Sequence, residues 1–266
     1  MTGTTPTAVP PSEIVRSADG TRIAYEVHGE GPTVVLVDGA MCSRDGGPMR
    51  GIAAAIGDRL RVVLYDRRGR GGSGDTEPFA VEREVEDLAA LVDAVGGPVA
   101  LLGISSGGAL ALRAARALPG VTRVVVYEPP FMPESAVAGA AGYTTELSDA
   151  LGRGDRAAAV ESFLRRVGTP PEGIAGARRS PAWAGMEALA PTLAYDDAQM
   201  GDSRVPALDG LDAEVLALAG GESPAFLQFG ARAVAEATGG RFALLAGQTH
   251  GLDPVVAADA LVAFLR

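Results

Sequence analysis

The stretch Val99-Ala100-Leu101-Leu102-Gly103-Ile104-Ser105-Ser106-Gly107 decides how the rest of this sequence is read. Its last five residues match G-x-S-x-G, a weak signal when it stands alone. Here a strand-like apolar run, Val99 to Leu102, precedes it, and a helix-like run, Ala109 to Leu118, follows it. Strand, pentapeptide and helix together predict a nucleophile elbow, a sharp turn that lifts one serine hydroxyl off the end of a sheet. The plainer reading is a Gly/Ser turn joining a strand to a helix; the flanking pattern, which is the context the motif requires, favours the elbow.

Outward from the elbow, strand and helix signals alternate. Thr21 to Val27 alternates like a half-buried strand, and Thr33 to Val37 and Val62 to Tyr65 are short apolar runs of the kind buried parallel strands carry. Val121 to Tyr127, Val215 to Ala219 and Phe242 to Ala246 are further strand candidates. Val81, Val85, Leu88, Val92 and Val95 mark one face of an amphipathic helix, ended by Gly96-Gly97-Pro98. Ala225 to Ala237 and Pro254 to Leu265 read as helices too. Strands separated by helix-length segments predict an α/β domain with a mainly parallel sheet and helices on both faces. Residues 131–210 break the rhythm with Gly/Pro interruptions and short helical patches such as Ala157 to Val167, and predict a helical insertion. The core is therefore expected over 13–130 and 211–266, with 1–12 as a flexible tail.

Composition narrows the function classes. The 266 residues carry a net charge of −10, which argues against a nucleic-acid partner and against docking to an anionic membrane. No run of about 20 apolar residues is present to span a bilayer. The first dozen residues lack the basic start and apolar centre of a signal peptide. A single cysteine, Cys42, leaves no internal disulfide framework. The expected location is the cytoplasm.

A serine nucleophile needs a base within hydrogen-bond reach, and the chain has only two histidines. His28 ends an early strand beside Gly29 and reads as a turn residue. His250, in Gly247-Gln248-Thr249-His250-Gly251, follows the last predicted strand, where loops of open α/β sheets carry function. The base in turn needs an acid. Glu128 and Glu222 each end a strand between Ser105 and His250. Asp253 follows the histidine but stands just before Pro254, where it reads as a helix cap. The oxyanion hole requires backbone N–H groups; Ser106 and the loop Gly39-Ala40-Met41 are placed to supply them.

A second motif competes. Gly69-Arg70-Gly71-Gly72-Ser73-Gly74 matches G-x-G-x-x-G and follows a strand. A dinucleotide site needs its glycines to open directly into a helix, and Asp75-Thr76-Glu77-Pro78 intervenes. A flexible loop is the expectation, with no cofactor. Two histidines, one cysteine and no H-x-x-x-H or C-x-x-C predict no metal site.

With these motifs in place, the chain resembles the α/β-hydrolase superfamily, in the branch of proline iminopeptidases, cofactor-free haloperoxidase-like esterases and small actinobacterial hydrolases. The residues that carry the resemblance are Tyr65 to Gly71 with Ser73, the elbow at 103–107, Tyr127-Glu128-Pro129-Pro130, and Gly247 to His250. The resemblance covers nearly the whole chain. It implies an α/β-hydrolase fold with a mostly parallel eight-stranded sheet, a small helical cap at 131–210 and no cofactor. Three departures stand out. Asp38-Gly39 replaces a His-Gly pair, Ile104 replaces a histidine before the nucleophile, and Ser223 occupies the place of the usual acid. The last departure favours Glu128 over Glu222 as the triad acid. Asp38 has two readings: a carboxylate bonded to loop amides, or an extra acid in the pocket.

The expected activity is a serine hydrolase acting on an ester, lactone or related acyl group of a small apolar molecule. Ser105 would attack, His250 would move the proton, Glu128 would orient His250, and the Ala40 and Ser106 amides would hold the oxyanion. A lyase, cyclase or isomerase of natural-product metabolism, using Asp38 or His250 as acid/base without an acyl-enzyme, is the alternative. A small-molecule receptor without turnover is a third. Phe131, Met132, Phe163, Trp183 and Met186 are candidates for the pocket wall or for the core of the insertion. Asp196-Asp197 and Asp202 could hold a substrate amine or be solvated.

Overall fold

The computed structural model describes residues 12–266, so all but Ser12 of the expected tail lies outside the described residues. Eight strands form one sheet: β1 (Glu13–Arg16), β2 (Arg22–His28), β3 (Thr33–Val37), β4 (Arg61–Tyr65), β5 (Val99–Ile104), β6 (Val121–Tyr127), β7 (Glu214–Gly220) and β8 (Arg241–Leu245). Their order is β1-β2-β4-β3-β5-β6-β7-β8. β2 runs antiparallel to its neighbours β1 and β4, and the pairs from β4 through β8 are parallel. The α/β-hydrolase fold expected from the sequence is the fold observed.

Alternation along the buried strands sorts their side chains onto two faces. On one face, Val35, Val37, Leu101, Val124, Val126 and Ala217 pack with α2 (Val81–Val95), α3 (Ser106–Ala117) and α9 (Ala225–Thr238). On the other, Val34, Leu36, Leu102, Val125 and Leu218 pack with α1 (Met49–Ile56) and α10 (Pro254–Leu265). Both faces are covered, which is why these strands read as continuous apolar runs. β1, largely exposed at the sheet edge, and the short α1 carried no such signal.

Between β6 and β7 the chain forms α4 (Ala138–Gly152), α5 (Arg156–Arg166), α6 (Pro171–Arg178), α7 (Trp183–Leu189) and α8 (Leu193–Met200). These helices have their own apolar cluster around Leu147, Val160, Trp183 and Leu193. They sit on the rest of the chain mainly through α8, which packs on α3 and α2.

The loop after β4, expected to be flexible, is tied to the chain by hydrogen bonds. Asp66 accepts from the amides of Arg44 and Gly72 at 2.8 and 2.9 Å, and a side chain at Gly71 would strike its carboxyl group at 2.4 Å. The glycines thus close around a carboxylate of the chain itself. Arg67, Arg68 and Arg70 turn inward and are fully buried in ion pairs. Their partners Glu84, Asp87 and Asp196 come from α2 and α8, and Asp19, also paired with Arg68, comes from the turn between β1 and β2.

Candidate active site

β3 lies between β4 and β5, so the chain leaves β3 to one side and returns to the other. Such a switch point opens a crevice at the strand ends, and the loops after β3 and β5 meet there. Two glycines force the elbow. A Cβ at Gly103 would lie 2.4 Å from the Gly107 oxygen, and one at Gly107 would lie 2.3 Å from the Val37 oxygen. Only bare backbone fits where the turn presses against β3. Ser105 itself has φ 54° and ψ −129°, a conformation a non-glycine residue adopts only under constraint. The constraint is visible: its amide donates to the Tyr127 oxygen at 2.9 Å, and its carbonyl accepts from Gly108 at 2.9 Å.

His250 stands in the loop between β8 and α10. Its Nδ1 lies 2.7 Å from Glu128 Oε2. Glu128 is fully buried at the end of β6 with φ 49°, and its Oε1 accepts from the Gly220 amide at 2.6 Å. Burial opposes ionisation of this carboxyl. The His250 bond, the adjacent Ser223 hydroxyl and the Gly220 amide outweigh it and hold the group below its ordinary range. The Ser223 oxygen sits beside Glu128 without a hydrogen bond of good geometry. Tyr127 Oη donates to the Thr249 carbonyl, pinning the histidine loop to the strand that carries Glu128.

Ser105, His250, Ala40 and Ser106 all line one cavity of about 330 Å³. Gly39 packs against Ser105, so that a Cβ there would be 3.1 Å from Ser105 Cβ. Among the described residues, the amides of Ala40 and Ser106 have no hydrogen-bond acceptor, a state in which an incoming oxygen could accept from both. No hydrogen bond joins Ser105 Oγ to His250 in this state. Such contacts are often loose before substrate arrives.

The other candidates divide. Glu222 is exposed and is not bonded to His250; its amide donates to the Gln248 oxygen instead. Asp38 does not line the cavity. It is buried beneath the loop 39–47, near Cys42 and Gly47, and its Oδ1 has no hydrogen-bond partner among the described residues. Burial pushes its carboxyl up to about 7. Both sequence readings of Asp38 are thereby corrected: it neither bonds loop amides nor faces the pocket. Asp253 caps α10, accepting from the Val255 and Val256 amides. His28 lies 3.6 Å from Glu26 and takes no part in the cavity.

Met132 and Phe163 line the cavity, whereas Phe131 joins the sheet core and Trp183 and Met186 join the core of the α4–α8 segment. Asp202 is exposed and paired with Arg204. Asp196 and Asp197 both reach the cavity wall, and with them Tyr143 and Arg166, which sequence reasoning did not single out. Burial raises the Asp197 carboxyl, countered in part by Thr144 and Arg166. Among the described residues no cluster of histidine, cysteine or carboxylates could hold a metal ion, and no helix is long and apolar enough to cross a membrane.

Comparisons with known proteins agree with this fold. The alpha/beta hydrolase family model matches residues 27–264. The crystal structure of an alpha/beta hydrolase from Sphaerobacter thermophilus is 42% identical, with a TM-score of 0.84 over 96% of this chain and 100% of that one. The bottromycin epimerase BotH, solved with bottromycin A2, is 26% identical, with a TM-score of 0.65 over 94% and 96% of the two chains. A polyketide synthase of Burkholderia thailandensis is 34% identical over 117 residues. That match takes in 43% of this chain but only 6% of the synthase.

Proposed function

The chain belongs to the alpha/beta hydrolase family, and from that premise we propose that it is a serine hydrolase cleaving an ester, lactone or related acyl bond of a small, largely apolar molecule. Ser105 Oγ attacks the acyl carbon and His250 takes its proton. Glu128 holds the imidazole in the required tautomer and stabilises the imidazolium. The Ala40 and Ser106 amides receive the oxyanion. The proton on His250 then passes to the leaving oxygen, and water, activated by the same histidine, releases the acid. The helices α4–α8 act as a cap whose side chains select the substrate.

The observation that carries this reading is the 2.7 Å pairing of His250 with buried Glu128 beside a serine held at positive φ. Labelling with a fluorophosphonate tests it. One adduct on Ser105, absent in Ser105→Ala, is the expected result.

A second reading has support from the epimerase relative at 26% identity: His250 moves a proton on and off carbon, with no acyl-enzyme. The same oxyanion donors would then stabilise an enolate. With Asp38 outside the cavity, His250 is the base this reading leaves. Turnover of the true substrate by Ser105→Ala separates it from hydrolysis.

A further inference from the structure

The donors of the oxyanion hole are themselves held, and both are held by one side chain. Asp196, on α8, is buried at 5% exposure. Its Oδ1 accepts from Ser106 Oγ at 2.8 Å and from Arg67 Nη1 at 2.7 Å. Its Oδ2 accepts from Arg70 Nη2 at 2.7 Å. Arg70 Nη1 in turn donates to the Gly39 carbonyl at 2.6 Å. That carbonyl belongs to the same peptide unit as the Ala40 N–H. The unit is trans, so C=O and N–H point in opposite directions. A guanidinium that fixes the carbonyl therefore fixes where the N–H is aimed. A charged donor on the oxygen also polarises the peptide and makes its N–H a stronger donor.

We propose that Asp196 is a positioning residue for the oxyanion hole: it sets Ser106 through the hydroxyl and the Gly39–Ala40 peptide through Arg70, and so joins the α4–α8 segment to catalysis. The inference rests on the serine-hydrolase reading of the cavity. The surrounding charges fit a fixed anion at this point. Burial opposes ionisation of Asp196, but Arg70 and Arg67 outweigh it and keep the carboxyl below its ordinary range. The two arginines are not equivalent. Arg67 has a second carboxylate, Glu84, bound through two contacts of 2.7 Å. Among the described residues Arg70 is paired with Asp196 alone, and its Nε is buried without a partner. Removing the Asp196 charge therefore takes away the carboxylate paired with Arg70 and leaves its guanidinium on the Gly39 and Cys42 carbonyls, at 2.6 and 3.5 Å, so that the Ala40 peptide is held less firmly while Arg67 stays anchored. A carboxylate that only pinned the helices together would affect folding but not the affinity for a tetrahedral adduct.

The test uses the full chain, p-nitrophenyl butyrate as substrate, and a trifluoromethyl ketone that forms a tetrahedral adduct on serine. Asp196→Asn is expected to lower kcat by about 10- to 100-fold, part of what loss of an oxyanion donor costs, with KM within about threefold. Affinity for the ketone should fall in parallel, while affinity for butyrate is retained. Ser106→Ala keeps the amide and both arginine pairs, and is expected to lower kcat about 3- to 10-fold, a smaller share of the same donor effect. If Asp196→Asn does not fold, Ser106→Ala decides alone. Unchanged kcat and ketone affinity in the folded variants would overturn the inference and leave the hydrolase reading standing. A wild-type chain that neither turns over the ester nor binds the ketone at Ser105 would overturn both.

Discussion

Replacing Asp38 with asparagine should stabilise this protein at alkaline pH. The carboxyl group is 3% exposed, and its Oδ1 has no hydrogen-bond partner among the described residues. Burial drives its pKa up from 3.8 to about 7, with Asp66 adding to the rise and Arg70 and Arg67 opposing it. The half-buried side chain of Cys42 lies near it. The sign follows from proton counts. Between about pH 4 and 7 the folded chain keeps a proton that the unfolded chain has released, so stability falls as pH rises through that window. At about 1.4 kcal/mol per pH unit, the loss reaches about 4 kcal/mol above pH 7. An asparagine stays neutral but brings an N–H₂ that needs an acceptor, which costs about 1–2 kcal/mol. Asp38→Asn is thus expected to exceed wild type by about 2–3 kcal/mol at pH 8, with the gain gone or reversed at pH 4. Urea unfolding followed by far-UV circular dichroism at the two pH values measures it. A variant less stable than wild type at pH 8, or a difference independent of pH, would refute the placement of a buried, unpaired carboxyl at this position.

Four other substitutions have defined outcomes. Glu128→Gln should lower kcat by about 10²- to 10⁴-fold in steady-state ester hydrolysis, because the wrong histidine tautomer is favoured, whereas Glu222→Gln should stay within about twofold of wild type. Gly107→Ala places a Cβ 2.3 Å from the Val37 oxygen. It should cost about 3 kcal/mol or more in thermal unfolding, since backbone on both sides cannot yield. Asp253→Ala removes the cap of α10 and should cost about 1 kcal/mol without changing KM.

The strands, the elbow serine and the loop histidine were legible because their signals are local. Thr33–Val37 is buried throughout and reads as an apolar run, Val121–Tyr127 reads as a β-branched run whose last four residues are buried, and both strands match the predicted bounds. The same holds for α2 and α10, whose ends are marked by glycine or by proline. β1 was missed because a short exposed edge strand has no apolar pattern to show. The network around Arg67 and Arg70 was invisible for a different reason. Its carboxylates come from α2 and α8, and Asp196 is paired with residues more than a hundred positions away in sequence. No spacing rule reaches that far, and Asp196-Asp197 alone looks like any solvated acidic pair. The choice of Glu128 over Glu222 depended on the turn that each strand end makes. The φ of 49° at Glu128 aims its carboxyl at His250, and Ser223 and Gly220 close around it. Asp38 was read as bonded to loop amides or as facing the pocket, and the fold does neither, because the 39–47 loop folds over it.

Intact-protein mass spectrometry after exposure to a fluorophosphonate tests the central claim most directly. The account predicts one covalent adduct per chain, mapped to Ser105 and absent in Ser105→Ala, with labelling slowed in Glu128→Gln. An unlabelled wild-type chain that is folded, or a Ser105→Ala variant labelled as fast as wild type, would contradict it.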